Sequence, residues 1–224
     1  MPTLSSLSTN GLVKTDVAER LQREIVKGSL APGERIVEGK WAAKFSVAQG
    51  SIREAINILT RDGFITKESG RSARVIHLSE EDVVHLYDLR GSIEGLAARL
   101  AAAAQPDFGK LQTTVQKMRE AASTANRERL MDCDLQFHLE LCRLSGNPYV
   151  IEHARRILLP FFAFVRMRVT TSGQTTTVWD KDLEAHQRIV DLLREGEGEV
   201  AEQYVKRAMA RFAKAAYGQW ERRG

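Results

Sequence analysis

Apolar residues recur at helical spacing along most of the chain. In the N-terminal region an apolar residue at every fourth position predicts a first helix that ends near Gly28. Its repeating residues are Val17, Leu21 and Ile25. Two more periodic segments follow a Pro-Gly turn and predict a short helix at 38–45 and a longer one at about 48–61.

The pattern then changes to the alternation that is typical of strands. The segments "FITKE" and "ARVI" alternate apolar and polar residues on either side of "SGRS", which predicts a hairpin. Three helices followed by a hairpin are the layout of a winged helix-turn-helix. We assign residues 12–76 to such a domain and expect residues 1–11 to be a disordered N-terminus.

Beyond Ile76 the chain shows helical periodicity alone. Ser79 begins "SEED", which has an N-cap residue followed by acids in the first helical turn. Proline, glycine and polar breaks divide the remainder into six predicted helices, at 80–104, 107–125, 127–145, 148–169, 177–195 and 197–220. Helices of this length form an antiparallel bundle. We therefore expect a mostly α protein, in which a linker at 77–81 joins the winged helix-turn-helix to an all-helical domain at 82–220.

Composition argues against a membrane protein. Of the 224 residues, 43% are hydrophobic and 28% are charged, which is ordinary for a globular chain. No apolar run approaches the length of a membrane span, and the N-terminus lacks the features of a signal peptide. Cys133 and Cys142 lie too far apart on one predicted helix to form a disulfide with each other. We expect a cytoplasmic protein with reduced thiols.

Positive charge is concentrated in the first third of the chain. Residues 1–76 contain 12 lysines and arginines against 8 acidic residues, whereas residues 77–224 contain 21 of each. This asymmetry indicates a polyanionic partner for the first domain only.

The second helix of a helix-turn-helix enters the major groove of DNA, where its first turns meet the base edges. Here that helix presents Gln49, Gly50, Ser51 and Arg53. Glutamine suits adenine, and arginine suits guanine or a phosphate. Further candidates for contacts with phosphates or the minor groove lie on the preceding helix and at the hairpin tip, namely Lys40, Lys44, Arg71 and Ser72. The alternative is a solvated polar helix that binds no ligand.

The stretch "EIVKGSLAPGERIVEGKWAAKFSVAQGSIREAINILTRDGFI" resembles the DNA-binding domain of GntR-family bacterial transcription regulators. The resemblance covers residues 15–76 and implies double-stranded operator DNA as the partner. This chain has Trp41 where leucine is usual, Ala48 where a serine N-cap is usual, and Gln49 where arginine is common. Because Gln49 departs from the family pattern, no operator sequence is predicted.

Several predicted bundle helices carry polar residues on apolar faces. Arg90 interrupts the apolar stripe of the first of these helices, Asp134 and His138 lie one turn apart on the third, and His186 lies on the fifth. Buried charges need partners, and an internal ion pair or a hydrogen bond to His138 would supply them. A metal site would also do so. Asp134 and His138 at i and i+4 can chelate one ion that His186 reaches from another helix.

The same half of the chain resembles the FCD ligand-binding domain of the FadR subfamily. The matching segments are "LYDLRGSIEGLAARLAA", "DLQFHLELCRLSGN" and "HQRIVDLLREGEGEVAEQYVKRAM". Metal-binding members hold their ion with one aspartate and three histidines, and the resemblance makes Asp134, His138 and His186 three of these ligands. The fourth histidine would lie 22 residues after His186, where this chain has Ala208. Water, an effector or another side chain would have to complete the coordination.

The resemblance also implies a homodimer, a small organic acid as effector, and zinc, nickel or manganese as the ion. Arg90 is then the candidate clamp for the carboxylate of the effector, because a guanidinium can bind both carboxylate oxygens. Asp134, His138 and His186 complete the predicted effector site.

We therefore expect a ligand-responsive, DNA-binding transcription regulator and not an enzyme. We expect it to act as a repressor. One alternative is a helical metalloenzyme that uses Asp134, His138 and His186, although its DNA reader would be unexplained. A second alternative is a regulator with a vestigial site, in which Ala208 marks the loss of the metal.

Overall fold

The computed structural model describes the backbone of residues 5–67, 72–172 and 179–220, and the side-chain surroundings of residues 16–67, 72–167 and 183–214. The described elements are α1 Ser5–Val26, α2 Glu38–Phe45, α3 Gln49–Arg61, β1 Ile65–Thr66, β2 Arg74–Val75, α4 Glu80–Ala104, α5 Gly109–Ser123, α6 Arg127–Leu144, α7 Pro148–Ser172, α8 Trp179–Arg194 and α9 Gly198–Trp220. Three helices, a hairpin and a run of helices confirm the predicted fold class.

The chain divides into two compact units. The first consists of Met1–His77 and Ala163–Gly173, and the second of Leu78–Phe162 and Gln174–Gly224. The first division therefore lies within the linker predicted at 77–81. The sequence did not indicate that the C-terminal part of α7 would group with the first unit.

The first unit has an apolar core between its leading helices. Residues of α1 and α3 that are at most 1% exposed form this core, namely Val17, Leu21, Ile25, Ile52, Ala55, Ile56 and Leu59. β1 and β2 pair antiparallel, with Ile65 opposite Val75 as the hairpin prediction requires. A bridge between Arg35 and Arg74 adds the segment before α2 to this small sheet.

Helix α1 begins earlier than its apolar spacing predicts. It starts at Ser5, so residues 5–11, which we expected to be disordered, are helical. The apolar repeat identifies only the part of a helix that packs. Once nucleated, a helix gains a hydrogen bond with each residue added, which favours extension beyond the packed part.

In the second unit, α4 packs along α9 over small residues. An added Cβ would lie 3.2 Å from the backbone oxygen of Glu202 at Gly95, and 3.0 Å from the backbone oxygen of Arg99 at Gly198. The helices therefore approach more closely than larger side chains would allow. The other helices supply fully buried side chains, among them Leu111, Phe137, Leu141, Val190 and Leu193.

The buried face of α4 is wider than the predicted stripe. Leu86 and Ile93, which have the apolar spacing of this helix, are only half-buried. Glu94 is buried instead, because α4 contacts α6, α8 and α9 rather than one neighbour. The α4 face that lines the interior therefore includes a carboxylate that the stripe omitted.

Within the described residues, no helix combines the length and apolar character needed to span a bilayer. Cys133 and Cys142 are buried free thiols, as predicted. Burial raises the pKa of both thiols, which keeps them unreactive.

We expect Gly198→Ala to lower the free energy of unfolding by about 1–3 kcal/mol, because the added methyl group would press on the backbone of α4. Gly50→Ala is the control, since a Cβ at that position would have no neighbour within 4 Å. It should stabilise α3 by up to about 1 kcal/mol. Urea unfolding of the full-length variants, followed by circular dichroism, measures both changes. A Gly198→Ala protein as stable as the wild type would contradict the tight packing of α4 on α9.

Candidate functional site

The three predicted metal ligands, Asp134, His138 and His186, lie side by side in the second unit. Oδ1 of Asp134 is 3.2 Å from Nε2 of His138 and 3.1 Å from Nε2 of His186. The two Nε2 atoms are 3.4 Å apart. Three atoms able to coordinate a metal therefore form a nearly equilateral triangle.

Helices α6 and α8 position this cluster. Asp134 and His138 point to the same side of α6 because they lie one turn apart, and His186 comes from α8. The ring of Phe137 packs edge-on against both imidazoles. The side chains of His138 and His186 are 5% and 9% exposed, whereas that of Asp134 is 27% exposed. The Asp134 side chain is therefore partly exposed, although its Oδ1, the atom that faces both histidines, is buried.

A second carboxylate contacts the other side of His138. Nδ1 of His138 lies against Oε2 of Glu94, and Oε1 of Glu94 accepts a hydrogen bond of 2.7 Å from Nε of Arg90. The side chains of Arg90 and Glu94 are 4% and 1% exposed. A continuous chain of contacts thus runs from Arg90 through Glu94, His138 and Asp134 to His186. We call these five residues the buried polar chain.

Sequence reasoning missed Glu94 as a site residue. The signal was its position four residues after Arg90, where the two side chains can pair on one helix face. Arg90 needs a partner, as predicted, and Glu94 is that partner.

Burial disfavours the charged form of each carboxylate and of His138, but the charges within the buried polar chain outweigh that effect. Arg90 and His138 lower the pKa of Glu94 to about 2. Hydrogen bonds from the two imidazoles hold the pKa of Asp134 well below its usual range. The Glu94 carboxylate raises the pKa of His138 to about 9. With no metal bound, His138 is therefore a cation between two carboxylates.

The donor set fits a divalent ion in both geometry and chemistry. Ligand atoms about 2.0–2.1 Å from a tetrahedral zinc ion lie about 3.3 Å from one another, and the distances here are 3.1, 3.2 and 3.4 Å. Two imidazoles and a carboxylate suit zinc and neighbouring transition metals. A metal-binding histidine commonly donates from its second ring nitrogen to a carboxylate, which fixes the orientation of the ring. Glu94 stands at that position beside His138.

Ala208 occupies the position of the usual fourth histidine. It is buried on α9, with 2% of its surface exposed, and its methyl group cannot coordinate a metal. Among the described His, Cys, Asp and Glu side chains, Asp134, His138 and His186 lie close enough together to hold one ion. An ion held by three protein ligands keeps at least one position for water or another ligand.

Aromatic rings enclose the guanidinium of Arg90. It lies 4.5 Å from the ring centre of Phe161 and 5.0 Å from that of Phe162. Phe162 also lies beside His138, at a ring separation of 5.7 Å. Within the described part of the chain, the hydrogen bond to Glu94 is the one that Arg90 makes. The remaining N–H groups of this arginine can therefore serve an anionic ligand.

The predicted DNA-binding residues lie on the first unit. Those on α2 and α3 that are exposed are Lys40, Lys44, Gln49, Gly50 and Arg53. Ser51 and Ser72 are half-buried, and Arg71 lies outside the described residues. Ala48 is the N-cap residue of α3 and makes no side-chain cap hydrogen bond, as the absence of the usual serine predicts.

Two of the exposed cations are paired with acids of neighbouring helices, which the sequence did not indicate. Nζ of Lys44 lies 2.6 Å from Oε2 of Glu24. Nη2 of Arg53 lies 2.8 Å from Oε2 of Glu38.

Comparisons with known proteins match both halves of the chain. The model named "Bacterial regulatory proteins, gntR family" matches residues 4–75, and that of the FCD domain matches residues 85–211. The "Probable D-xylose utilization operon transcriptional repressor" of Paenarthrobacter nicotinovorans is 26% identical over 216 residues, which cover 96% of this chain and 93% of that protein. The gluconate operon transcriptional repressor of Bacillus subtilis is 28% identical over 68% of this chain and 64% of its own length.

Solved structures resemble the whole fold. E. coli McbR/YncC has a TM-score of 0.72 at 17% identity, over 93% of this chain and 98% of that chain. A protein of Rhodococcus sp. RHA1 described as a GntR transcriptional regulator has a TM-score of 0.72 at 23% identity, over 92% and 97% of the two chains. At these identities the likeness establishes the fold alone.

We expect Glu94→Gln to lower the free energy of unfolding by about 3–5 kcal/mol, because it leaves Arg90 as a buried cation without its counter-charge. The control is Glu152→Gln, which breaks the exposed Arg156–Glu152 pair and should cost less than about 1 kcal/mol. Urea unfolding of both variants makes the comparison. Equal, small losses would show that Glu94 does not neutralise a buried charge.

Proposed function

Because this chain belongs to the GntR family of bacterial transcription regulators and carries an FCD domain, we propose that it is a repressor whose DNA binding responds to a small carboxylate metabolite. We further propose that Asp134, His138 and His186 hold a divalent metal ion in the sensing domain. The observation that carries this proposal is the position of Oδ1 of Asp134, 3.1–3.2 Å from Nε2 of both histidines.

The metalloenzyme alternative has no support. The matching family and the relatives are transcription regulators. Repression is the proposed mode because the two relatives described above are named as repressors.

In the proposed DNA complex, α3 enters the major groove. Its residues Gln49, Gly50, Ser51 and Arg53 then lie near the base edges. We assign the contacts with phosphates and the minor groove to Lys40, Lys44, Arg71 and Ser72. What supports this assignment is the exposure of the α2 and α3 residues together with the excess of positive charge before residue 77.

In the proposed metal site, Oδ1 of Asp134 and the two Nε2 atoms of His138 and His186 are the ligand atoms. A divalent ion would supply a Lewis-acidic centre for an anionic oxygen. The carboxylate of Glu94 contacts Nδ1 of His138. This contact orients the ring so that Nε2 faces the cluster. Zinc, nickel and manganese are the candidate ions.

The balance of charge favours an anionic effector. Metal ligation requires neutral imidazoles, so the metal-bound cluster would contain Arg90 as a cation, the two carboxylates of Glu94 and Asp134, and the divalent ion. Its net charge would be +1. A buried net charge is unfavourable, and one carboxylate group would neutralise it. Arg90, enclosed by Phe161 and Phe162, is the proposed second contact of the effector.

The protein is proposed to act as a cytoplasmic homodimer of the FadR subfamily. Two winged helix-turn-helix domains would then contact the two half-sites of a pseudo-palindromic operator, whose spacing follows from the symmetry of the dimer. Binding of the effector would change the affinity of the dimer for that operator.

We predict that Arg53→Ala weakens binding to a specific duplex by about 1–3 kcal/mol without unfolding the protein, because an arginine contact to guanine contributes that much discrimination. The duplex is obtained by selection from a randomised library with the wild-type protein. Fluorescence anisotropy at several salt concentrations gives the affinities, and circular dichroism checks the fold. Wild-type affinity together with wild-type salt dependence would contradict the proposed docking of α3.

For the metal site, His138→Ala should abolish metal binding and the response to carboxylates together, since it removes one of three ligands. Ala208→His should tighten metal binding by restoring a fourth ligand. Elemental mass spectrometry measures the metal per chain, and thermal melting with and without chelator measures its effect on stability. If the site is vestigial, wild-type protein carries no metal, gains none from zinc, nickel or manganese, and melts identically in chelator.

A further inference from the structure

The ion pair between Arg53 and Glu38 has a defined geometry. Nη2 of Arg53 donates to Oε2 of Glu38 at 2.8 Å, and Nε lies 3.3 Å from Oε1 and 3.2 Å from Oε2. The carboxylate therefore engages the side edge of the guanidinium, formed by Nε and Nη2. Charge-assisted bonds on such an edge hold the plane of the guanidinium as well as its position.

This arrangement leaves the opposite edge of Arg53 available. A guanidinium has five N–H donors, and those of Nη1, with the second hydrogen of Nη2, point away from the edge that Glu38 occupies. Arginine reads guanine by donating two parallel hydrogen bonds to O6 and N7. Arg53 can make that contact without leaving Glu38.

Glu38 is the more anchored of the two partners. It is the first residue of α2, and 31% of its side chain is exposed against 57% for Arg53. Helix α2 packs directly on α3. The position of Glu38 is therefore set by the helix-turn-helix core, and the position of Arg53 is set by Glu38.

Stability gives little reason for this contact. An exposed ion pair contributes little to the free energy of unfolding. Without Glu38, the long side chain of Arg53 would sample several rotamers and would lose that freedom on binding DNA. A pair that fixes the side chain beforehand reduces this loss.

We propose that Glu38 is a positioning residue that sets operator specificity by holding Arg53 in the orientation that reads a base. This inference rests on the proposed function, in which Arg53 contacts the operator. Glu38 itself need not touch DNA. Its negative charge opposes attraction to phosphates in specific and non-specific complexes alike, so its effect on the ratio of the two affinities comes from the position of Arg53.

The test compares full-length wild-type protein with Glu38→Gln and Glu38→Asp. Each protein is titrated with a duplex selected from a randomised library and with an unrelated duplex of equal length, at several salt concentrations. Glu38→Gln should lower the ratio of specific to non-specific affinity by about fivefold or more, a part of what an arginine–guanine contact contributes. Glu38→Asp keeps the charge but is one methylene shorter and cannot reach both nitrogens, so it should also lower the ratio.

The matched control is Glu24→Gln, which removes the same charge from the Lys44–Glu24 pair. A lysine on a phosphate carries no sequence information, so this variant should raise both affinities and leave their ratio within about twofold. In an Arg53→Ala background, Glu38→Gln should lower the ratio no further, because the side chain that Glu38 positions is absent.

Three results would overturn the proposal in distinguishable ways. If Arg53→Ala lowers the ratio but Glu38→Gln leaves it unchanged in a folded protein, Arg53 reads the operator without help from Glu38. If Arg53→Ala itself leaves operator binding unchanged, the proposed docking of α3 fails, and the positioning role fails with it. A rise in the ratio for Glu38→Gln would show that Glu38 competes with DNA for Arg53.

Discussion

A charge buried in the helical unit must be neutralised where it lies, and this constraint organises the interior of that unit. Arg90 is almost fully buried, so Glu94 must lie within reach of it. Glu94 in turn contacts Nδ1 of His138, whose Nε2 meets Asp134. Gly95 and Gly198 allow α4 to approach α9 closely. This packing helps to keep α4, with Arg90 and Glu94, in the interior of the unit.

The same need to neutralise buried charge links the fold to the proposed binding of a metal ion and a carboxylate effector. Protons alone can balance the buried polar chain, with His138 as a cation between two carboxylates. In the proposed metal-bound state, a divalent ion would take the place of that proton. The cluster would then have a net positive charge, which an anion would neutralise. Asp134 is the most exposed side chain of the five, and the ring of Phe161 lies against the guanidinium of Arg90. In the proposed function, a buried ion-pair network and a metal-dependent carboxylate site would be two states of one set of residues.

Helical spacing was sufficient to predict Asp134 and His138, because a carboxylate and an imidazole one turn apart on an apolar face stand out in the sequence. His186 was predicted because it lies on the apolar face of its own helix. The limits of α2 were predicted from the helical spacing of residues 38–45. Glu94 was missed because a single stripe describes a helix with one neighbour, and α4 has several. The pairing of Arg53 with Glu38 joins two helices across a turn, and no periodicity reports such a contact. The start of α1 at Ser5 was missed because the apolar repeat that predicts this helix begins only at Val17.

In both units an acid fixes the orientation of a residue that is proposed to bind a ligand: Glu94 orients His138, and Glu38 orients Arg53. The central claim concerns the first of these, and crystallography tests it most directly. Crystals of the protein loaded with zinc should show an anomalous difference peak, at the zinc absorption edge, within about 2.0–2.2 Å of Oδ1 of Asp134 and of Nε2 of His138 and His186. Crystals grown with excess zinc that show no anomalous peak between these three atoms would contradict the account.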